Sequence, residues 1–226
     1  MKVLMIGAGD IAKSHARAVE KLGGEIVGAF DVSENALKSF KKEFYCDVIS
    51  YEQIPEYVEK ADYAVISTPP TKRLDYVEMV LSKHVPLYLE KPIATTLEDA
   101  EKIVAMAKQY DAKIIVGFAH RFRPAFVKMY DMVKSGMFGD PVNVFSYRVG
   151  AGFGYGKNNA MYGNSWRTDP KLACGMTIES VSHEFNLLTS LAGEFDTIAC
   201  NVKGTISNVP QFDTNSTCLL YTSPSP

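Results

Sequence analysis

The sequence predicts an α/β protein in which a doubly wound parallel sheet comes first and a smaller α+β domain on an open antiparallel sheet follows. Three observations carry this. Through the first half, short runs that are apolar throughout alternate with amphipathic stretches, as in parallel strands covered by helices on both faces. A glycine turn, GAGDIA (Gly7–Ala12), separates the first strand from the first helix. After about Gly139 the pattern changes to strand, helix, strand with alternating faces, which is an α+β signature.

In chain order, KVLMIG (Lys2–Gly7) is the first strand and DIAKSHARAVEKL (Asp10–Leu22) the first helix. EIVGAFD (Glu25–Asp31) is a second strand, and Ser33 caps a helix running to Phe44. DYAVIST (Asp62–Thr68), VPLYLE (Val85–Glu90) and KIIVGF (Lys113–Phe118) complete the apolar runs, with helical spacing over Lys72–Lys83 and Leu97–Tyr110 between them. In the second half, PVNVFSYRVG (Pro141–Gly150) reads as a half-buried strand and a Gly/Asn/Tyr-rich loop follows. Helical spacing spans Met176–Leu191, and TIACNVKG (Thr197–Gly204) is a further strand. The domains divide at Phe118–Arg123, giving 1–120 and 121–217.

Composition bounds the function. The 226 residues are 46% hydrophobic and 22% charged, which is ordinary for a globular chain able to bury a core. Lys and Arg number 24 against 26 Asp and Glu, with no basic stripe, so nucleic acid is not an expected partner. No apolar run is long enough to span a bilayer, and the opening residues lack a signal-peptide pattern. Cys46, Cys174, Cys200 and Cys218 are scattered without a CxxC pair, so neither a disulfide framework nor a metal site is expected, and a reducing cytoplasm is the expected compartment.

GAGDIA fits GxGxxG/A in the context that gives the motif meaning, after a strand and opening a helix. Gly7 permits the tight turn, Gly9 lets a pyrophosphate reach the backbone, and Ala12 lets helix and strand pack closely. The helix start at Asp10 and Ile11 offers free N–H groups to phosphates. Asp31 ends the second strand, where an acid holds the adenosine ribose hydroxyls, and no arginine follows to meet a 2′-phosphate; this favours NAD over NADP. STPP places Ser67, Thr68 and Pro69 on the same rim, and EKPI adds Glu90 and Lys91. A lysine there can hydrogen-bond a substrate oxygen or relay its proton, although a lone lysine is more often a solvated one. In ESVSHEFN, Glu179, His183 and Asn186 share one helix face. His183 could exchange protons near neutral pH, Glu179 could orient it and Asn186 could bind a hydroxyl; the plain alternative is an ordinary i,i+4 pair.

GAGDIA, STPP, EKPI, GFAHRFRPAF, SGMFGDP, SWRTDP and CGMTIESVSHEFN occur in this order, and together they resemble the Gfo/Idh/MocA family of NAD(P)-dependent oxidoreductases. The resemblance covers Met1 to about Gly204. It implies an N-terminal Rossmann domain and a C-terminal domain carrying the substrate pocket and the homo-oligomer interface. It makes Lys91 and His183 catalytic, with Glu179 where the family often has Asp and Asn186 where it often has a second Asp. Trp166 and Arg167 match a tryptophan–arginine motif near the pocket, and Arg121 matches a position with a packing or cofactor-side role. The implied reaction is oxidation of a sugar or cyclic polyol hydroxyl. His183 takes the hydroxyl proton, Lys91 hydrogen-bonds that oxygen and the hydride passes to the nicotinamide. A non-catalytic NAD(P)-binding regulator and an NAD-dependent glycosidase or dehydratase are the competing readings.

A second domain of that family has several more strands after Gly204. The closing CLLYTSPSP (Cys218–Pro226) back-translates to a DNA string resembling a transposase adapter of sequencing libraries. On that reading the natural sequence stops at 217 and the domain is incomplete, so exposed apolar sheet and weak or no activity are expected.

Overall fold

The computed structural model describes residues 1–140, 143–144, 146–147, 169, 171–172, 174–175, 177–204 and 215–221. The chain divides into two compact units, Met1–Gly117 and Phe118–Pro226.

The first unit is a six-stranded sheet in the order β3-β2-β1-β4-β5-β6. Its strands are β1 (Lys2–Ile6), β2 (Glu25–Phe30), β3 (Asp47–Val48), β4 (Tyr63–Ile66), β5 (Leu87–Leu89) and β6 (Ile114–Val116). Every pairing is parallel. Helices α1 (Asp10–Lys21), α2 (Glu34–Lys41), α3 (Ile54–Lys60), α4 (Leu74–Leu81) and α5 (Leu97–Gln109) make the crossovers. The chain moves outward from β1 through β2 to β3, then returns to the other side of β1 for β4. That reversal makes a switch point between β1 and β4, and open α/β sheets bind ligands in the crevice outside the strand ends there.

β1 shows why the sheet forms. Its four residues Val3–Ile6 are fully buried. Val3 and Met5 pack with Ala12, Ala16 and Val19 of α1 and Phe40 of α2. Leu4 and Ile6 turn the other way, against Val58 of α3, Val77, Val80 and Leu81 of α4 and Ile103 of α5. The period-2 alternation thus feeds two cores, and each such side chain contributes roughly 1.5–3 kcal/mol as an upper estimate. Two elements of this unit carry no clear signal in the sequence. β3 is two residues long, too short to carry periodicity. α3 follows a turn in which the Ser50 and Gln53 side chains form a capping box, with Pro55 in its first helical turn.

Tyr88 of β5 is half-buried, and burial, reinforced by the Glu90 carboxylate, pushes its phenol up to about 12. The folded protein therefore keeps a proton that the unfolded chain loses from about pH 10, so stability holds below that pH and falls between about pH 10 and 12. Screening at this partly exposed site reduces the loss to about 1–2 kcal/mol. Denaturant melts at pH 9 and pH 12 should show Tyr88→Phe losing that much less than wild type over the interval, because all other titrations are shared.

The second unit contains α6 (Pro124–Lys134), a π-helical turn over Thr177–Val181 leading into α7 (Ser182–Ala192), and an antiparallel pair of β7 (Thr197–Lys203) and β8 (Asn215–Tyr221). The helix expected over Met176–Leu191 thus begins with a π turn, which adds a residue to the turn and rotates what precedes it. α6, with Pro124 at its start, was missed as an element. The expected strand Pro141–Gly150 and the loop after it lie largely outside the described residues. The register of the pair sets Cys200 opposite Cys218, and the two are disulfide-bonded. This corrects the expectation of no disulfide: sequence spacing did not reveal a cross-strand pair. The residues assigned to an adapter supply Cys218–Tyr221 of β8. No helix among the described residues is long and apolar enough to cross a membrane.

Candidate functional site

The register of the sheet builds the site. Phe30, Ile6, Ile66, Leu89 and Val116 stand in one row across β2, β1, β4, β5 and β6. The next residue of each strand is therefore Asp31, Gly7, Ser67, Glu90 and Gly117, side by side on the C-terminal rim. Four of these five were singled out from the sequence.

Gly7 has φ +101°, and a Cβ there would lie 2.9 Å from the carbonyl carbon and the hydroxyl of Ser67. The fold itself therefore demands glycine. Gly9 differs. Its φ is −76°, open to any residue, and a Cβ would meet nothing within 4 Å. Neither backbone strain nor packing requires glycine at 9, and the open space above it admits the close approach of a ligand. Gly9 caps α1 without a side-chain hydrogen bond, so the first N–H groups of the helix face outward at the exposed Asp10 and Ile11. Ala12 is fully buried, as close helix–strand packing requires.

Asp31 is pinned. Its Oδ2 accepts from the Ala8 N–H at 2.7 Å and its Oδ1 from the Ser33 N–H at 2.8 Å. Each oxygen keeps a lone pair, so the carboxylate anchors the glycine loop and still presents acceptors at the end of β2. The hydroxyl oxygens of Ser67 and Thr68, beside Gly7 and Pro69, are buried with no hydrogen-bond partner among the described residues. Orphaned hydroxyls, a helix start without a side-chain cap and open space at Gly9 all fit a dinucleotide at the switch point.

Glu90 and Lys91 follow β5, and the Lys91–Pro92 peptide is cis. Glu90 turns inward: His15 Nε2 lies 2.7 Å from its Oε1, and the Lys91 N–H donates to its Oε2 at 3.2 Å. Its carboxylate thus faces α1 and the start of its own turn. Two residues that the sequence reading passed over meet here. His15 packs its ring edge on Tyr88 at 4.8 Å. Arg73, buried at the start of α4, donates from Nε and Nη2 to the Thr68 carbonyl at 3.0 and 2.8 Å, and from Nη1 to the carbonyls of Glu90 and Pro92. Nothing in the local sequence signals a buried arginine, because Lys72-Arg73 reads as a solvated helix start.

In the second unit, Glu179 and His183 are both buried, with Glu179 in the π turn and His183 in α7. The π turn keeps both facing inward despite the change in helical twist. His183 stacks on His120 with ring centroids 4.0 Å apart and meets the edge of Phe118 at 5.9 Å. Arg123 Nη2 approaches His120 Nε2 at 3.0 Å. Arginine only donates, so that nitrogen is the acceptor of the pair. The Asn186 Oδ1 is buried without a hydrogen-bond partner among the described residues. Arg121 is exposed, and Trp166 and Arg167 lie outside the described residues.

A parallel sheet in this strand order, with its rim built to take a dinucleotide, defines the class of nucleotide-binding α/β domains. Comparison with known proteins makes it specific. The family described as "Oxidoreductase family, NAD-binding Rossmann fold" (GFO_IDH_MocA) matches residues 1–118, and the GFO/IDH/MocA C-terminal domain matches residues 126–224. The chain belongs to the Gfo/Idh/MocA family. It is 27% identical over 172 residues to glucose-6-phosphate 3-dehydrogenase of Bacillus subtilis (strain 168), covering 74% of this chain and 46% of that protein. It is 28% identical over 137 residues to inositol 2-dehydrogenase of Rhizobium meliloti (strain 1021), covering 60% of this chain and 41% of the relative. The chain thus spans about half the length of the curated relatives it matches. Among solved structures, an oxidoreductase from Thermotoga maritima superposes with TM-score 0.81 at 23% identity, over 97% of this chain and 68% of that one. The WlbA dehydrogenase of Chromobacterium violaceum, in complex with NADH and UDP-GlcNAcA, superposes with TM-score 0.79 at 21% identity, over 97% and 63%. At these identities the structures speak for the fold.

Proposed function

We propose that the protein is an NAD-dependent dehydrogenase that oxidises a hydroxyl of a sugar or cyclic polyol. The observation that carries this reading is Lys91 at the end of β5, on the rim beside the β1/β4 switch point, in a chain of an oxidoreductase family. NAD, when bound, supplies the hydride acceptor. Lys91 donates a hydrogen bond to the reacting oxygen, and His183 takes the hydroxyl proton as general base. Glu179 orients the imidazole and stabilises its charged form, and Asn186 offers its amide to a neighbouring substrate hydroxyl. Trp166 and Arg167 complete the substrate contacts. Ser67, Thr68 and Pro69 line the nicotinamide half of the cofactor site, and Asp31 the adenosine half. The relatives' names, inositol 2-dehydrogenase and glucose-6-phosphate 3-dehydrogenase, direct the choice of substrates. The whole protein assembles as a homo-oligomer through the sheet of its second unit, where Ile198, Val202 and Leu219 are exposed.

Asp31 supports NAD over NADP for a physical reason. Two backbone N–H groups hold its carboxylate at the end of β2, so it cannot swing away from a 2′-phosphate. Asp31→Asn keeps one oxygen for the loop and removes the charge. Calorimetric titration should show the preference for NAD narrowing about tenfold, mainly through tighter NADP binding.

The test of the reaction is a panel of polyols, sugars and sugar phosphates, including myo-inositol and glucose 6-phosphate, offered with NAD to the full-length protein. Reduction of the nicotinamide by at least one member is expected. Tight NAD binding with no reduction across the panel would favour a regulator, and a dehydrated or cleaved product without net reduction would favour the transient-oxidation enzymes.

A further inference from the structure

We infer that Arg73 and His15 are positioning residues for Lys91, holding its backbone from two sides so that its side chain is aimed from a fixed base. The inference rests on the reading of Lys91 as the catalytic lysine. Arg73 is 3% exposed and its guanidinium fork spans two rim loops. Through Nε and Nη2 it holds Thr68, and through Nη1 it holds the carbonyls of Glu90 and Pro92, the residues immediately before and after Lys91. From the opposite side His15, on α1, holds the Glu90 carboxylate, whose second oxygen accepts the Lys91 N–H. The peptide group that precedes residue 91 is therefore tied at both ends, its carbonyl to Arg73 at the start of α4 and its N–H to the Glu90 carboxylate that His15 of α1 holds, and the same arginine fixes the Pro92 carbonyl one residue further on.

A buried guanidinium is a costly way to fill space, since apolar side chains of similar volume often serve stability as well or better. What the fork supplies and an apolar chain cannot is simultaneous, directional anchoring of several carbonyls. The lysine is thereby tied to the elements that frame the cofactor site, as productive geometry demands.

The test reads Lys91 directly. Lysines of the full-length protein are reductively methylated with ¹³C-formaldehyde, and the Lys91 signal is assigned by its loss in Lys91→Arg. In wild type the signal should stand apart from the cluster of exposed lysines. In Arg73→Gln and in His15→Asn it should move into that cluster, while NADH, used as the probe, binds within about threefold of wild type. Where polyol oxidation is measurable, kcat should fall up to about a hundredfold at little-changed KM for NAD. A Lys91 signal that stays at its wild-type position in the variants, or that already lies within the exposed cluster in wild type, overturns the inference. A merely structural role would lower the melting temperature and leave the signal in place. Should Arg73→Gln fail to fold, His15→Asn decides alone, because His15 lies outside the apolar core. Undiminished turnover in Lys91→Arg would refute the catalytic reading of Lys91, while the signal positions still judge the brace.

Discussion

Gly9→Ala should fold like wild type and fail to bind NADH. The alanine methyl has open space around it and a backbone conformation that any residue adopts. The cost to the unliganded protein is the loss of a good N-cap residue, about 1 kcal/mol or less. The same methyl would stand where the pyrophosphate must approach the backbone, and a fall in NADH affinity of about a hundredfold or more is expected. Gly7→Ala is the contrasting control. It forces a side chain into positive φ and against the Ser67 backbone at 2.9 Å, so the fold itself should lose about 2–4 kcal/mol. Melting curves of the two unliganded variants and NADH titrations by fluorescence separate the cases. Wild-type NADH affinity in Gly9→Ala would remove the pyrophosphate from the glycine turn.

The second large effect falls on the chemical step. His183→Ala and Lys91→Ala should each lower kcat by about 10²–10⁴, the range for loss of a positioned acid or base. NADH affinity should stay within a few-fold of wild type in His183→Ala, because His183 is assigned to the hydroxyl proton alone. The double variant should be little worse than either single one, since groups that act as a unit are strongly non-additive. Full additivity of the two losses would mean that the residues serve separate steps.

Much of this was legible in the residues, for identifiable reasons. The parallel sheet announced itself because strands buried on both faces are apolar throughout, as Val3–Ile6 are. Asp31, Gly7, Ser67 and Glu90 could be picked out because each directly follows an apolar run, and the register then aligned them. Glu90 shows the limit: its position was legible, but its inward turn to His15 was not, since that pairing joins residues 75 apart. Arg73 was invisible for the same reason, because its partners are carbonyls, and every residue has one. The π turn at Thr177–Val181 differs from an α-helix by one residue in the span of its hydrogen bonds, which a short segment cannot display as periodicity. The stack of His183 on His120 brings together two elements that no local pattern connects.

Lys91 and His183 are proposed to serve oxidation of a substrate hydroxyl by bound NAD. The most direct measurement is the near-ultraviolet absorbance of reduced nicotinamide when the full-length protein meets NAD and the polyol and sugar panel, run in parallel with His183→Ala. Growth of that absorbance with at least one substrate in wild type, and its loss by at least about a hundredfold in the variant at unchanged NADH affinity, is the predicted result. Reduction by His183→Ala at the wild-type rate would contradict it.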